Sequence, residues 1–319
     1  MLRIESRQFK VKAIFVLISL TFFFSKLPFF QYAIANPSVG TWFLYRFVDL
    51  QGRDPFFRIL STGAEVYFYL FSFMLIFLLK TWRKRALILV ILALLIGVMS
   101  GGRSSVLGGL LYLGTFIFYF NKYFKRKFIQ RVNHIGVILV VASLSLAAVI
   151  SSLYEADASV TDGFKILVNR FIAVGDGLEY YMLYNGPEKI PSGPGQYFLA
   201  VFGVYVKGFT NLEYKNVGTQ LVELVVGDVS FAQGSNFVFP LQAVVLGRYA
   251  WIFYVPLMAL TVCWLRRSRS RSFVFLPLSF FFCYHCFTIA TDIEYGLLCF
   301  ISGMLVYFII IFPVLKLKL

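Results

Sequence analysis

The sequence predicts an all-α, polytopic membrane protein of about eight transmembrane helices (eight to ten), with one long loop outside the cytoplasm. Three observations predict this. The chain of 319 residues is 59% hydrophobic and only 14% charged, against about a quarter charged in soluble domains, and its mean hydropathy is +0.78. Several apolar runs approach bilayer length, about 20 residues for a helix. These runs do not alternate as barrel strands would, and in lipid the unpaired backbone groups of any other open structure are too costly. Third, the basic residues fall in short blocks between the runs rather than along one face. The formal net charge of +15 therefore reads as an orientation signal and not as a nucleic-acid surface.

The elements follow in order. Arg3, Arg7, Lys10 and Lys12 precede a first run from Val11 to about Ala35. Ala33 and Ala35 make an A-x-A pattern, but Lys26 and Pro28 intervene, so the run is expected to be an uncleaved helix and not a signal peptide. A second span covers about Ile59–Leu79 and ends at Lys80, Arg83, Lys84 and Arg85. The third (Ala86–Met99) and fourth (Val106–Phe120) are short and meet at Ser100-Gly101-Gly102-Arg103-Ser104-Ser105. Lys122, Lys125, Arg126, Lys127 and Arg131 lead to the fifth, about His134–Ser152. The sixth is about Val238–Leu265, closed by Arg266, Arg267, Arg269 and Arg271. The seventh (Phe273–Thr291) and eighth (Tyr295–Pro313) flank Asp292 and Glu294, and Lys316 and Lys318 end the chain. Three regions result: helices in 1–152, a large loop in 153–238, and helices in 239–319.

Charge supports this threading. With both termini in the cytoplasm, the five basic blocks just named fall inside and hold 19 of the 30 Lys and Arg, while of the 15 acidic residues only Glu5 is cytoplasmic. Arg103, the long loop and Asp292/Glu294 then share the opposite face. Cys263, Cys283, Cys286 and Cys299 all fall within spans, so no disulfide framework is implied.

Four places could carry chemistry. At Gly101-Gly102-Arg103 the glycines permit a tight turn and expose backbone N–H groups. The next helix points its positive end at the same spot, and a guanidinium suits phosphate oxygens. The alternative is an interfacial turn with a snorkelling arginine. In the loop, Arg170 shares a helical face with Ile166 and Val174, and either snorkels or meets an anion. Asp176 and Glu179 follow as candidate bases, and Tyr180 and Tyr181 as sugar-stacking rings; a salt bridge in an interfacial helix is the bland alternative. The stretches Phe164–Ile172 and Tyr197–Phe209 are apolar but too short to span, and suit helices lying at the headgroups. Gly234-Ser235-Asn236 is placed to cap the sixth helix. Arg248 within that helix and Glu65 in the second are charges at similar depth, and either pair with each other or meet substrate. Cys283-Tyr284-His285-Cys286 puts neighbours on different helix faces and reads as bundle packing, not a metal site. No nucleotide-binding or zinc-protease motif is present, and a site outside the cytoplasm requires a donor that arrives already activated.

The Ser-Gly-Gly-Arg-Ser-Ser turn between two short helices, the loop that opens with Arg170, and Gly234-Ser235-Asn236 leading into a Pro240…Gly247 helix together resemble the O-antigen polymerase (Wzy-type) family, across roughly residues 60–265. The resemblance implies a bacterial inner-membrane, GT-C-like, inverting glycosyltransferase that needs no metal or cofactor. It would move a growing glycan from undecaprenyl pyrophosphate onto the non-reducing-end sugar of an incoming lipid-linked repeat unit, in lipopolysaccharide biosynthesis, with a chain-length regulator as partner. On this reading Arg103, Arg170 and Arg248 hold the pyrophosphate, and Asp176 or Glu179 is the base. Tyr180, Tyr181, Gly101, Gly102 and Asn236 bind substrate. The rivals are an O-antigen ligase, whose family carries a loop histidine that this loop lacks, and a polysaccharide flippase or transporter.

Overall fold

The structure, a computed structural model, describes residues 7–45, 55–101, 105–152, 161–165, 168, 176–193, 195–196, 199, 217–227, 256, 259–260, 263, 272–291 and 293–317. Among these the chain is helical and contains no strand. α1 is Gln8–Phe24, α2 Leu27–Ala35 and α3 the single turn Val39–Trp42. α4 is Pro55–Phe73, continued by a π-helical turn Met74–Leu78. α5 is Arg83–Met99, α6 Ser105–Tyr119 and α7 Arg126–Ser152. In the loop, α8 is Asp176–Leu183, α9 Gly186–Lys189 and α10 Val217–Val226. α11 is Leu276–Thr291 and α12 Ile293–Val306, running through a π-turn at Tyr307–Ile311 into α13, Phe312–Lys316.

Three of these are long and apolar enough to cross a membrane, Phe56–Leu78, Arg126–Val149 and Leu298–Lys316; α1 and α2, bent by 41°, make a fourth if they form one span. The expected first helix is thus broken. Ser25 and Lys26 end α1, and Pro28 opens α2 in its first turn, where a missing N–H costs nothing. The Lys26 ammonium is satisfied within the bundle, donating to Ser61 Oγ at 2.8 Å and lying 4.9 Å from the centre of the Phe22 ring. The second expected span coincides with α4. The third, fourth and seventh are present as α5, α6 and α11 but are shorter than a full crossing. The sixth, 238–265, lies outside the described residues apart from four isolated positions.

α4 is the centre of the bundle. Its span is 78% buried, and α1, α5, α6, α11 and α12 all pack on it. Two devices allow this. Where α4 crosses α12 there is no room for a side chain at Gly63: a Cβ there would meet the Ser302 carbonyl carbon at 2.7 Å. Small residues let membrane helices approach this closely, with packing in place of a hydrophobic driving force. Gly303 plays the same part beneath the Phe281 ring, and Tyr67 donates its hydroxyl proton to the Gly303 carbonyl at 3.2 Å. Elsewhere α4 presents aromatic faces. Phe68 stacks on Phe22 of α1 at 4.7 Å, and Tyr67 on Phe281 of α11 at 5.2 Å. α7 is the opposite case. Its 18-residue window has a mean hydropathy of 2.1 with only 17% buried, and Ile135, Val137, Ile138 and Val141 are all exposed. Such a surface suits lipid contact and not water.

The two ends of the chain are tied together at the face expected to be cytoplasmic. Lys10 Nζ donates to the Leu315 carbonyl at 2.9 Å and also to that of Leu317, a cation on the last carbonyls of a helix. Nearby, the Trp82 indole is flanked by Lys12 at 5.4 Å and Arg85 at 5.1 Å.

Candidate functional site

α5 and α6 form a helical hairpin around the turn picked out in the sequence. α5 ends at Ser100, whose N–H bonds the Ile96 carbonyl, and Gly101 follows at φ 81° with its N–H on the Val98 carbonyl. That left-handed residue just past a helix end is where glycine is favoured. The two helices touch closely at the turn: a Cβ on Gly97 would meet Ser105 Cβ at 2.8 Å, and one on Gly109 would meet Leu94 Cδ2 at 2.6 Å. α5 has 17 residues and α6 has 15, so at 1.5 Å per residue they are about 25 and 22 Å long. A hydrocarbon core is about 30 Å thick. Both helices are therefore shorter than such a core, and Gly101 at the end of α5 is buried. Gly102 and Arg103 lie outside the described residues.

The described parts of the loop form a small packed unit of α8, α9 and α10. Tyr181, Gly186, Ile190, Val217 and Leu221 are buried in it. Tyr181 lies against Gly186 so closely that a Cβ there would overlap its ring. Tyr181 was expected as a sugar contact, but its ring is inside the loop's own core, because the chain turns back at Asn185 (φ 56°) and lays α9 over it. Tyr180 is half-buried and Glu179 exposed. Asp176 is the first residue of α8, its side chain outside the described residues. Arg170, Asn236 and Arg248 also lie outside them, and with Arg248 the expected Glu65–Arg248 pair.

The structure assembles a third cluster that sequence reasoning saw only in part. Tyr69 of α4, Tyr112 of α6 and Tyr284 of α11 stack in a column, with ring centres 4.4 Å apart at 15° and 4.1 Å apart at 18°. The Tyr112 and Tyr284 hydroxyls share a hydrogen bond, and Glu65 is within electrostatic reach of both Tyr69 and Tyr284. Glu65 is half-buried and has no ion-pair or hydrogen-bond partner among the described residues. His285 packs edge-on to Tyr284 at 5.0 Å and tilted on Phe281 at 4.6 Å. It is 4% exposed, and neither ring nitrogen has a partner among the described residues. The sequence marks Glu65 as a charge at depth and His285 as a hydrogen-bonded bundle residue; the bundle position is as expected, but no hydrogen bond to the imidazole is present among the described residues. The signal for the tyrosine column was weaker: Tyr69 sits four residues after Glu65, on the same helix face.

Helix register relates this cluster to the turn. Tyr69 faces Tyr112 and Phe73 faces Phe116, so α4 and α6 run parallel with a constant offset of 43 positions. Glu65 is then level with Gly108, which is four residues before Tyr112 and on the same face of α6. A Cβ added to Gly108 would find nothing within 4 Å. Ser105, at the foot of the turn, is three residues beyond Gly108, or about 4.5 Å along the axis. No protein-family model, no curated protein and no solved structure matches this chain.

Proposed function

We propose that this chain is a bacterial inner-membrane glycan polymerase. It transfers a glycan from a polyprenyl pyrophosphate onto the non-reducing-end sugar of a second lipid-linked repeat unit, with an eight-span, GT-C-like bundle and both termini in the cytoplasm. The observation that carries this reading is the short α5–α6 hairpin. Its turn opens at Gly101 in the left-handed region, and α6 starts at Ser105; the sequence puts Gly102 and Arg103 between them. That combination suits an anionic diphosphate held at the membrane surface with its lipid tail alongside the bundle.

The chemistry follows. Pyrophosphate leaves readily once its developing charge is neutralised, and this is work for fixed cations. Arg103 supplies one; Arg170 of the loop and Arg248 of the sixth span supply the others. The acceptor hydroxyl needs positioning and a weak base; the carboxylates proposed for this site are Asp176 and Glu179 of the loop and Glu65 of α4, with the half-buried Tyr180 as a sugar contact. Asn236, Gly101 and Gly102 complete the substrate contacts. The exposed cationic blocks at the other end match a cytoplasmic face.

The test is surface-polysaccharide electrophoresis in a host deleted for its own copy. Wild type gives a ladder of chain lengths; Arg103→Ala and Arg170→Ala give a single-repeat band at unchanged protein level. Arg103→Lys is also impaired, because a point charge does not replace bidentate geometry. A normal ladder in both alanine variants refutes the reading.

A further inference from the structure

We propose that Glu65 is the base of the glycosyl transfer, working in a hollow bounded by Glu65, Gly108 and the Tyr69–Tyr112–Tyr284 column, and that this hollow receives the acceptor sugar; the proposal rests on the transferase reading above. Four observations carry it. Glu65 is the one carboxylate within the three span-length helices of the described residues, and among those residues it has no ion-pair or hydrogen-bond partner and is only half-buried. An ionisable side chain at such a depth is costly and is characteristically functional. Register sets it level with Gly108 and within about one helical turn of Ser105, so carboxylate and pyrophosphate turn lie at the same depth. Gly108, one turn beyond Tyr112 on the same face, would have nothing within 4 Å of an added Cβ. The stacked rings lie one turn farther along α4 and α6.

The shortness of α5 and α6 explains how a carboxylate inside a bundle can reach a sugar. Full-length neighbours would cover α4 at this level, and Glu65 is half-exposed. Among the described residues, Tyr69 on its own helix and Tyr284 on α11 lie within electrostatic reach of it. Farther along α4, Ser61 is occupied by Lys26. The loop's Glu179, by contrast, is exposed on α8.

The step balances as follows. The acceptor hydroxyl proton passes to a Glu65 carboxylate oxygen. The hydroxyl oxygen forms its bond to the anomeric carbon of the donor sugar from the face opposite the pyrophosphate. The anomeric carbon–oxygen bond breaks, and its electron pair leaves with the pyrophosphate, whose charge the arginines hold. Inversion at that carbon results. The proton on Glu65 is then lost to solvent.

The experiment uses the full chain reconstituted in lipid with a polyprenyl-pyrophosphate-linked oligosaccharide as both donor and acceptor, measuring polymer formation and, separately, binding of that lipid-linked unit. Glu65→Gln is expected to slow turnover at least about a hundredfold, in the range of lost general-base catalysis, while binding changes less than about threefold, since the amide keeps shape and hydrogen bonding. Glu65→Asp recovers part of the rate. Gly108→Leu, which fills the hollow without touching the carboxylate, weakens acceptor use in the same assay. Polymer formation at the wild-type rate in Glu65→Gln, with Arg103→Ala inactive, overturns this inference alone; normal rates in both overturn the transferase reading with it. If the Glu65 variants fail to accumulate, Gly108→Leu decides, and a wild-type rate there overturns the hollow.

Discussion

Gly63 and Gly108 offer a test in which one substitution has opposite signs at two sites. Glycine to alanine inside an exposed helix stabilises by about 1 kcal/mol through propensity alone. At Gly108 nothing lies within 4 Å of the added carbon, so that gain stands. At Gly63 the same carbon would sit 2.7 Å from the Ser302 carbonyl carbon and 2.8 Å from Val306 Cγ2, with the Ser302 carbonyl oxygen closer still. Ordinary contact is 3.4–4 Å, so α4 and α12 must part by roughly 0.7 Å or more. A gap of 0.5–1 Å forfeits about a quarter to a half of each pair's dispersion attraction, and here it opens along the most extensive helix crossing of the bundle. Valine at 306 could rotate away; a helix carbonyl cannot. Overpacking of this kind costs about 1–3 kcal/mol against a propensity gain of about 1 kcal/mol, so Gly63→Ala loses up to about 2 kcal/mol net. At roughly 2–4 °C per kcal/mol, as for domains of 150–250 residues, purified protein in detergent melts up to about 8 °C lower for Gly63→Ala and no lower than wild type for Gly108→Ala, a difference of about 2–12 °C between the two variants. Equal melting temperatures for the two variants would refute the close crossing of α4 and α12.

Other outcomes follow from single contacts. Lys10→Gln frees the carbonyls of Leu315 and Leu317 and should raise amide hydrogen exchange across α13 several-fold, leaving α4 unchanged. Tyr119 donates to Ser279 Oγ at 2.9 Å in a buried setting; Tyr119→Phe and Ser279→Ala should each destabilise, and the double variant should lose less than their sum by about 0.5–1.5 kcal/mol. A cysteine at Ser100 should react with a membrane-impermeant maleimide from the outside, and one at Lys122 only after permeabilisation; the reverse pattern would invert the proposed threading.

The parts of this fold that were legible in sequence are those set by local physics. Apolar runs located α4, α5, α6, α7, α11 and α12 because lipid leaves helices as the economical backbone structure. The Gly101 turn was legible because a left-handed residue at a helix end needs glycine. The break after Phe24 is half-visible in sequence: Lys26 and Pro28 interrupt the apolar run, but only the three-dimensional partner Ser61 explains why a lysine is tolerated there. Tyr181 shows the limit of composition. A paired tyrosine in a polar loop reads as a ligand contact, yet the positive φ at Asn185 folds Gly186 onto it and makes it core. Nothing in the immediate sequence separates its role from that of Tyr180.

Glu65 was harder for a different reason. Its oddity was plain, and the nearest sequence explanation was an opposite charge at similar depth on another helix. Whether a carboxylate meets a cation or a cavity depends on which residue the neighbouring helix presents at that level. Here the parallel offset between α4 and α6, fixed by Tyr69 on Tyr112 and Phe73 on Phe116, presents a glycine. Had the offset slipped by four positions toward the turn, Glu65 would face Ser104; slipped the other way, it would face the Tyr112 ring. On the proposal above, these aromatic contacts select the register in which Glu65, without an ion-pair or hydrogen-bond partner among the described residues, is level with Gly108. Replacing Phe73 or Phe116 with alanine loosens that selection, so such variants should impair polymer formation beyond what their loss of stability accounts for. Rates that follow stability alone would show that the register has no part in the chemistry.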